Sequence, residues 1–138
     1  MTITLERQNQ AVHLQGSNQD GLTVQIDGSA AIGGENKGVR PMELMLMSLG
    51  SCSSIDVITI LQKMKQPLDD LKIDVSGTRR EGEIPAVFTH IHVHYHLYGD
   101  LDEAKVARAI DLSMGTYCSA TKMLEKAAEI THEFTIHR

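Results

Sequence analysis

Basic character is the first thing this sequence is short of. Its 138 residues carry 13 Lys and Arg against 18 Asp and Glu, a formal net charge of −5. No basic run occurs anywhere, which argues against nucleic acid as a partner. Cysteine is nearly absent, at two residues. Two are too few for a zinc cluster without histidine help. In a cytosolic chain they are not expected to form a structural staple. Two readings remain for the thiols, buried spectators or a redox pair. Aromatics make up only 4% of the chain and tryptophan is missing, so no aromatic belt flanks its one long apolar stretch. The opening MTITLERQNQ has neither the basic nor the apolar region of a secretory signal, and the expected compartment is the cytoplasm. A phosphate-binding fingerprint is also missing. The four glycines of residues 28–40, GSAAIGGENKGVR, do not sit between a strand and a helix in that spacing. No cofactor is expected.

What is present is an ordinary globular composition, 41% hydrophobic, with a length that predicts a single domain over residues 1–138. The chain is organised around residues 41–63, PMELMLMSLGSCSSIDVITILQK. Pro41 suits a first helical position, and Glu43 complements the dipole in the first turn. The interior is apolar on nearly every face, which predicts a helix wrapped by other elements. A 138-residue monomer has little material for that, so a dimer is expected. Glu43, Gly50, Asp56 and four serines interrupt the stretch and argue against a membrane span. Met42, Met45 and Met47 read as gap-filling core. A small-residue patch, Ser48 and Gly50–Ser54, lets a neighbouring element approach Cys52.

Around this helix the pattern predicts β-β-β-α-β-β-α-α-β. Residues 2–28 alternate as a three-stranded meander. Residues 72–80 and 87–98 read as strands. Residues 102–113 form an amphipathic helix capped by Asp102 or Asp100. A second helix is expected from a Thr116 cap to Glu129, and residues 130–137 close with a strand. Blocks of strands and helices give an α+β class.

The strand VFTHIHVHYHLY separates into two faces. Phe88, His90, His92, His94, His96 and Tyr98 lie on one, Ile91, Val93, Tyr95 and Leu97 on the other. Alternate imidazoles could share a metal ion. An exposed or interface-facing polar row is the simpler reading, and no metal is expected there. Such a row would charge below about pH 6.5 and repel itself.

Of the two thiols, Cys118 sits at an expected helix N-terminus, where unpaired N–H groups lower a thiol pKa. Cys52 lies mid-helix with Asp56 one turn on, and a nearby anion raises a thiol pKa.

The segments PMELMLMSLGSCSSIDV and YCSATKML, with FTHIHVHY and DEAKVARAIDLS between them, resemble the OsmC/Ohr family of osmotically inducible and organic hydroperoxide resistance proteins. The resemblance covers residues 22–137 and is closest to a branch with PME in place of PE[EQ]. It implies an intertwined homodimer with a long buried central helix, each active site built from both subunits. It also implies thiol-dependent reduction of organic hydroperoxides. Cys52 would be the peroxidatic residue and Cys118 the resolving one. A dithiol reductant, a lipoyl or thioredoxin-like protein, would restore the thiols. The family places a glutamate directly after the proline, paired with an N-terminal arginine. Here Met42 holds that position and residues 8–34 contain no arginine. Arg7, Arg40, Arg79 and Arg80 are the candidates to replace it. The alternative function is a non-peroxidatic dimer whose cleft, lined by methionines and both cysteines, binds a small hydrophobic or thiol ligand.

Overall fold

The computed structural model describes all residues, Met1–Arg138. The chain divides into two compact units, Met1–Met45 and Leu46–Arg138.

In the first unit the period-two pattern becomes β1 (Thr4–Arg7), β2 (Leu14–Ser17) and β3 (Thr23–Ile26), an antiparallel meander in the order β1-β2-β3. The glycine-rich loop that follows is ordered by one buried side chain. Asp27 is 1% exposed, and its carboxylate accepts from the backbone N–H groups of Gly28 at 2.8 Å and of Glu35 and Lys37 at 3.0 Å each. Two glycines let the loop fold onto itself. A Cβ on Gly34 would strike the Gly28 carbonyl, and one on Gly38 would strike the Gln25 backbone. The Lys37 N–H first, then those of Glu35 and Gly28, hold the Asp27 carboxyl below the usual carboxylate range against the opposing effect of burial. Its folded pKa is therefore below its unfolded value. The stabilisation is present above the unfolded pKa near 3.9 and is lost as pH falls through the folded one. Asp27→Asn is expected to lose that acid-dependent component and to melt earlier at neutral pH. Melting curves between pH 7 and pH 3 that run parallel for the two proteins would rule this out.

Helix α1 (Pro41–Lys63) begins as its sequence requires. Pro41 takes the first helical position, and the Glu43 carboxylate reaches back to accept from the Arg40 N–H at 2.8 Å, half of a capping box. At the other end Lys65 adopts φ 57°. The Lys65 N–H donates to the Gln62 carbonyl and the Gln66 N–H to the Leu61 carbonyl. This pair is a Schellman stop, and Pro67 lies just beyond it.

In the second unit, β4 (Asp70–Arg79), β5 (Phe88–Tyr98) and β6 (Glu129–His137) form a sheet in the order β4-β5-β6. β4 and β5 are antiparallel, β5 and β6 parallel. A parallel pair needs a long crossover. Here α2 (Glu103–Leu112), a π-helical turn (Ser113–Tyr117) and α3 (Ser119–Leu124) supply it. Asp102 caps α2, accepting from the Lys105 N–H at 2.9 Å. The expected α+β element order is observed.

Burial follows the alternation. Ile91, Val93, Tyr95 and Leu97 of β5 are fully buried with Leu49, Val57 and Leu61 of α1 and Val106 and Ala109 of α2. Each buried Leu, Ile or Val contributes about 1.5–3 kcal/mol. In this single chain α1 buries one stripe, Leu49, Ser53, Val57 and Leu61, which repeats every fourth residue. Ile55 and Ile58 on its other faces are 63% and 44% exposed.

Two expectations are corrected. Phe88 was placed on the histidine face, but it is buried. The register with β4 shifts between Thr78 and Arg79, and Thr89 is the extra residue. That bulge turns Phe88 back to the core, with its ring over Gly77. The second crossover helix was expected from a Thr116 cap to Glu129. It is instead the six residues Ser119–Leu124, capped by Cys118. The π-helical turn carries the chain on from α2 through Tyr117 and uses up the residues expected to start the helix.

Candidate active site

Cys52 lies in the middle of α1 and is half-buried; Cys118 is fully buried; both are free thiols. Within the small-residue patch beside Cys52, Gly50 faces the sheet and leaves just enough room for Val75 of β4, while Ser48 and Ser51 are exposed. The Ser51 hydroxyl bonds back to the Met47 carbonyl at 2.7 Å. The resolving candidate is held by its own turn. The Cys118 N–H donates to the Ser113 carbonyl at 2.7 Å, and its sulfur accepts from the Thr121 N–H at 3.4 Å. The Cys118 thiol points to α1, 4.0 Å from the Leu49 carbonyl. Leu49 stands less than one turn before Cys52 on the same helix, and Cys52 is near enough to bear on the Cys118 thiol. The structure thus brings together the two residues singled out in the sequence.

Cys118 does cap a helix, yet its thiol pKa is raised, not lowered. Burial is the largest cause. Hydrogen bonds from Thr121 pull it down, and the neighbouring Cys52 adds to the rise. A cap on a six-residue helix offers little stabilisation to a thiolate that has no contact with water. The expected acidity of Cys118 is therefore corrected, and with it any reason for Cys118 to react first.

Beside the thiols runs a buried chain of hydroxyls that the sequence did not announce. The Tyr95 hydroxyl is 2.5 Å from the Ser53 Oγ, which is 2.8 Å from the Ser113 Oγ, which donates to the Asp56 carboxylate at 3.0 Å. Each hydroxyl has one proton to give. With Ser113 donating to Asp56, Ser53 donates to Ser113 and Tyr95 donates to Ser53. The order is set by the carboxylate at the end. One signal could have found it: Tyr95 stands in the apolar row of β5, and a buried tyrosine hydroxyl needs a partner.

The histidine row is on the outer face of the sheet. His92 pairs with Thr131 at 2.7 Å and Glu133 at 2.6 Å, His94 with Thr135 at 2.8 Å, and His96 with His137 at 3.1 Å and Asp74 at 3.2 Å. His90 lies 3.3 Å from Glu129. The His92 hydrogen bond, then the neighbouring His94, hold the Glu133 carboxyl below its ordinary range. Carboxylates of Asp74, Glu129 and Glu133 on the adjacent strands face the imidazoles.

A cavity of about 530 Å³ opens among Asp111, Met114, Gly115, Thr121, Glu125 and His132. Neither cysteine lines it, and its acidic wall does not suit the methionine-and-cysteine cleft expected of a hydrophobic binder.

A sequence profile described as OsmC-like protein matches residues 34–133. The chain belongs to the OsmC-like family. It is 44% identical over 122 residues to protein YhfA of Escherichia coli strain K12, covering 88% of this chain and 87% of that one. The crystal structure of a hypothetical protein from Aquifex aeolicus VF5 superposes with a TM-score of 0.82 at 32% identity, over 99% of this chain and 97% of that one. The organic hydroperoxide resistance protein OhrB of Bacillus subtilis shares the fold, with a TM-score of 0.64 at 20% identity over 97% and 96% of the two chains.

Within this OsmC-like chain the arginines that could replace the family's activating one are engaged in their own loops. Arg7 holds the β1–β2 turn through the Ala11 and Gln10 carbonyls at 2.8 and 2.6 Å. Arg40 donates to the Gly38 carbonyl at 3.1 Å. Arg79 donates to the Ala86 carbonyl at 2.8 Å, and Arg80 pairs with Glu83 at 3.0 Å. Glu43, adjacent to the family's glutamate position, is taken up by the helix cap.

Proposed function

We propose that this protein is a cytoplasmic, thiol-dependent reductase of organic hydroperoxides. The observation that carries the reading is the pair of free thiols, one half-buried on α1 and one fully buried with its sulfur 4.0 Å from the Leu49 carbonyl of that helix. Two family members of known structure, from Legionella pneumophila and Bacillus subtilis, bear the name organic hydroperoxide resistance protein. In the first step the Cys52 thiolate attacks one peroxide oxygen. An S–O bond forms, the O–O bond breaks, and the alcohol leaves with a proton. Cys52 is then a sulfenic acid. Next the Cys118 sulfur attacks the Cys52 sulfur. The S–S bond forms, the S–O bond breaks, and the hydroxyl leaves as water with the Cys118 proton. A lipoyl or thioredoxin-like dithiol then reduces the disulfide by two exchanges and leaves as its own disulfide.

A second reading, a non-peroxidatic dimer that binds a small hydrophobic or thiol ligand, is favoured by Met42 and by the engaged arginines. A thiol count separates the two. One equivalent of cumene hydroperoxide is expected to remove two thiols from the wild type and none from Cys52→Ser. Unchanged thiols in both proteins would give the binding reading its place.

The assembly we propose is a homodimer. Ile55 and Ile58 of α1 are exposed in the single chain, as are Leu5, Leu22 and Val24 of the first unit. A second copy packed on α1 would cover the isoleucines that this apolar helix leaves exposed. Sedimentation at micromolar concentration is expected to give a dimer. A stable monomer there would sink the proposal.

A further inference from the structure

Ser113 joins the two cysteine-bearing segments with both ends of the residue. Its side chain is clamped to α1, with its hydroxyl 2.8 Å from the Ser53 Oγ and donating to Asp56 at 3.0 Å. Its backbone carbonyl accepts the Cys118 N–H at 2.7 Å. The residue is fully buried, as is Ser53. One turn of α1 therefore carries Cys52, Ser53 and Asp56, and two of these three grip the residue that holds Cys118. Met114 packs against the same place. Its sulfur lies 3.7 Å from the Ser53 hydroxyl and 3.5 Å from the Thr121 hydroxyl, and Thr121 is also the residue whose N–H holds the Cys118 sulfur. A core that needed only packing would be filled more cheaply by alanine and valine, since a buried hydroxyl must find partners. Here Ser53 on α1 and Ser113 on the Cys118 segment have found each other, and Ser113 has found Asp56 as well.

We propose that Ser113, clamped by Ser53 and Asp56, is a positioning residue that fixes Cys118 against α1 for disulfide closure with Cys52. The inference rests on the redox reading of the two cysteines, though not on the identity of the oxidant. Closing a bond between two groups already held in place avoids most of the entropy loss of bringing them together. Freeing the Ser113 side chain loosens the turn and lowers the effective concentration of one thiol at the other.

The test is thiol–disulfide equilibrium of the full chain in mixtures of oxidised and reduced glutathione. One Sγ–Sγ bond forms as the glutathione disulfide breaks, and two protons and two electrons pass to two glutathione thiols. The equilibrium constant reads the effective concentration of Cys52 and Cys118 directly. Ser113→Ala and Asp56→Ala are expected to lower it by about tenfold or more. Asp56→Asn keeps an acceptor oxygen and is expected to stay within about twofold of wild type. A residue that only stabilises the fold would lower the melting temperature and leave the constant unchanged in protein folded at 25 °C. If Ser113→Ala does not fold, the Asp56 pair decides alone. Constants equal to wild type in Asp56→Ala, or no disulfide in wild type at any glutathione ratio, overturn the inference. Disulfide formation with glutathione but no reaction with hydroperoxide would remove the peroxidase reading and leave the positioning role standing.

Discussion

Cys118→Ser treated with limiting cumene hydroperoxide is expected to hold Cys52 as a sulfenic acid, seen as a mass gain of one oxygen and captured by a carbon nucleophile. Turnover with a dithiol should fall by at least about a hundredfold, because an external thiol must replace one held in place. The direction of the chemistry follows from where the two sulfurs lie. Cys52 is half-buried on α1, whereas Cys118 is fully buried and is the less accessible of the two to a peroxide. Burial also keeps the Cys118 thiol protonated at neutral pH, so it does not compete as the first nucleophile. Its place next to Cys52 suits it to the second step, an attack on a sulfur already oxidised. Cys52→Ser should lose the reaction altogether. If Cys52 stays a free thiol in Cys118→Ser while the wild type forms no internal disulfide, the two cysteines are not a peroxidatic pair.

What the amino-acid order made legible here is whatever depends on near neighbours. Pro41 and Glu43 mark the start of α1 because a capping box needs only three residues of spacing. The alternation of β5 divides core from surface because successive side chains point to opposite faces. The bulge at Thr89 was not legible, since a single extra residue leaves no composition signal and changes the face of Phe88 alone. Nor was the start of α3. The π-helical turn through Ser113–Tyr117 is stabilised by contacts with α1, and local propensity at Thr116 could not anticipate them. The Ser53–Ser113 pair lies 60 residues apart in sequence, and two serines in a chain announce nothing until the crossover brings them together. The same distance explains the misjudged Cys118. Its place near a helix start follows from local sequence, whereas its burial against α1 does not and outweighs that position. The partners of the histidine row were hidden in the same way, because parallel pairing of β5 with β6 is a long-range choice.

Above pH 10 the protein is expected to lose about 2–3 kcal/mol of stability that Tyr95→Phe does not lose. Tyr95 is fully buried, and its phenol is pushed up to about 12. Burial is the largest cause, the Ser53 hydrogen bond opposes it, and the charges of Cys118 and Asp56 add to it. The unfolded chain releases this proton near pH 10, while the folded chain keeps it to about 12. Between those values the folded state binds more protons than the unfolded state. Stability therefore falls as pH rises, and the contribution is complete only below the unfolded value. A shift of about two units sets the size of the loss. Phenylalanine at 95 has no proton to release in either state. It removes the donor to Ser53, and at neutral pH it should cost about 1 kcal/mol. Ser53 still donates to Ser113, and Ser113 to Asp56, so the rest of the chain of hydroxyls keeps its direction. Urea unfolding at pH 8, 10.5 and 11.5 tests this directly. Wild type should lead the variant at pH 8, converge with it as pH rises, and fall below it near pH 11.5. A difference between the two proteins that stays constant across all three pH values would mean that the Tyr95 hydroxyl is solvated and that the buried relay does not form in solution.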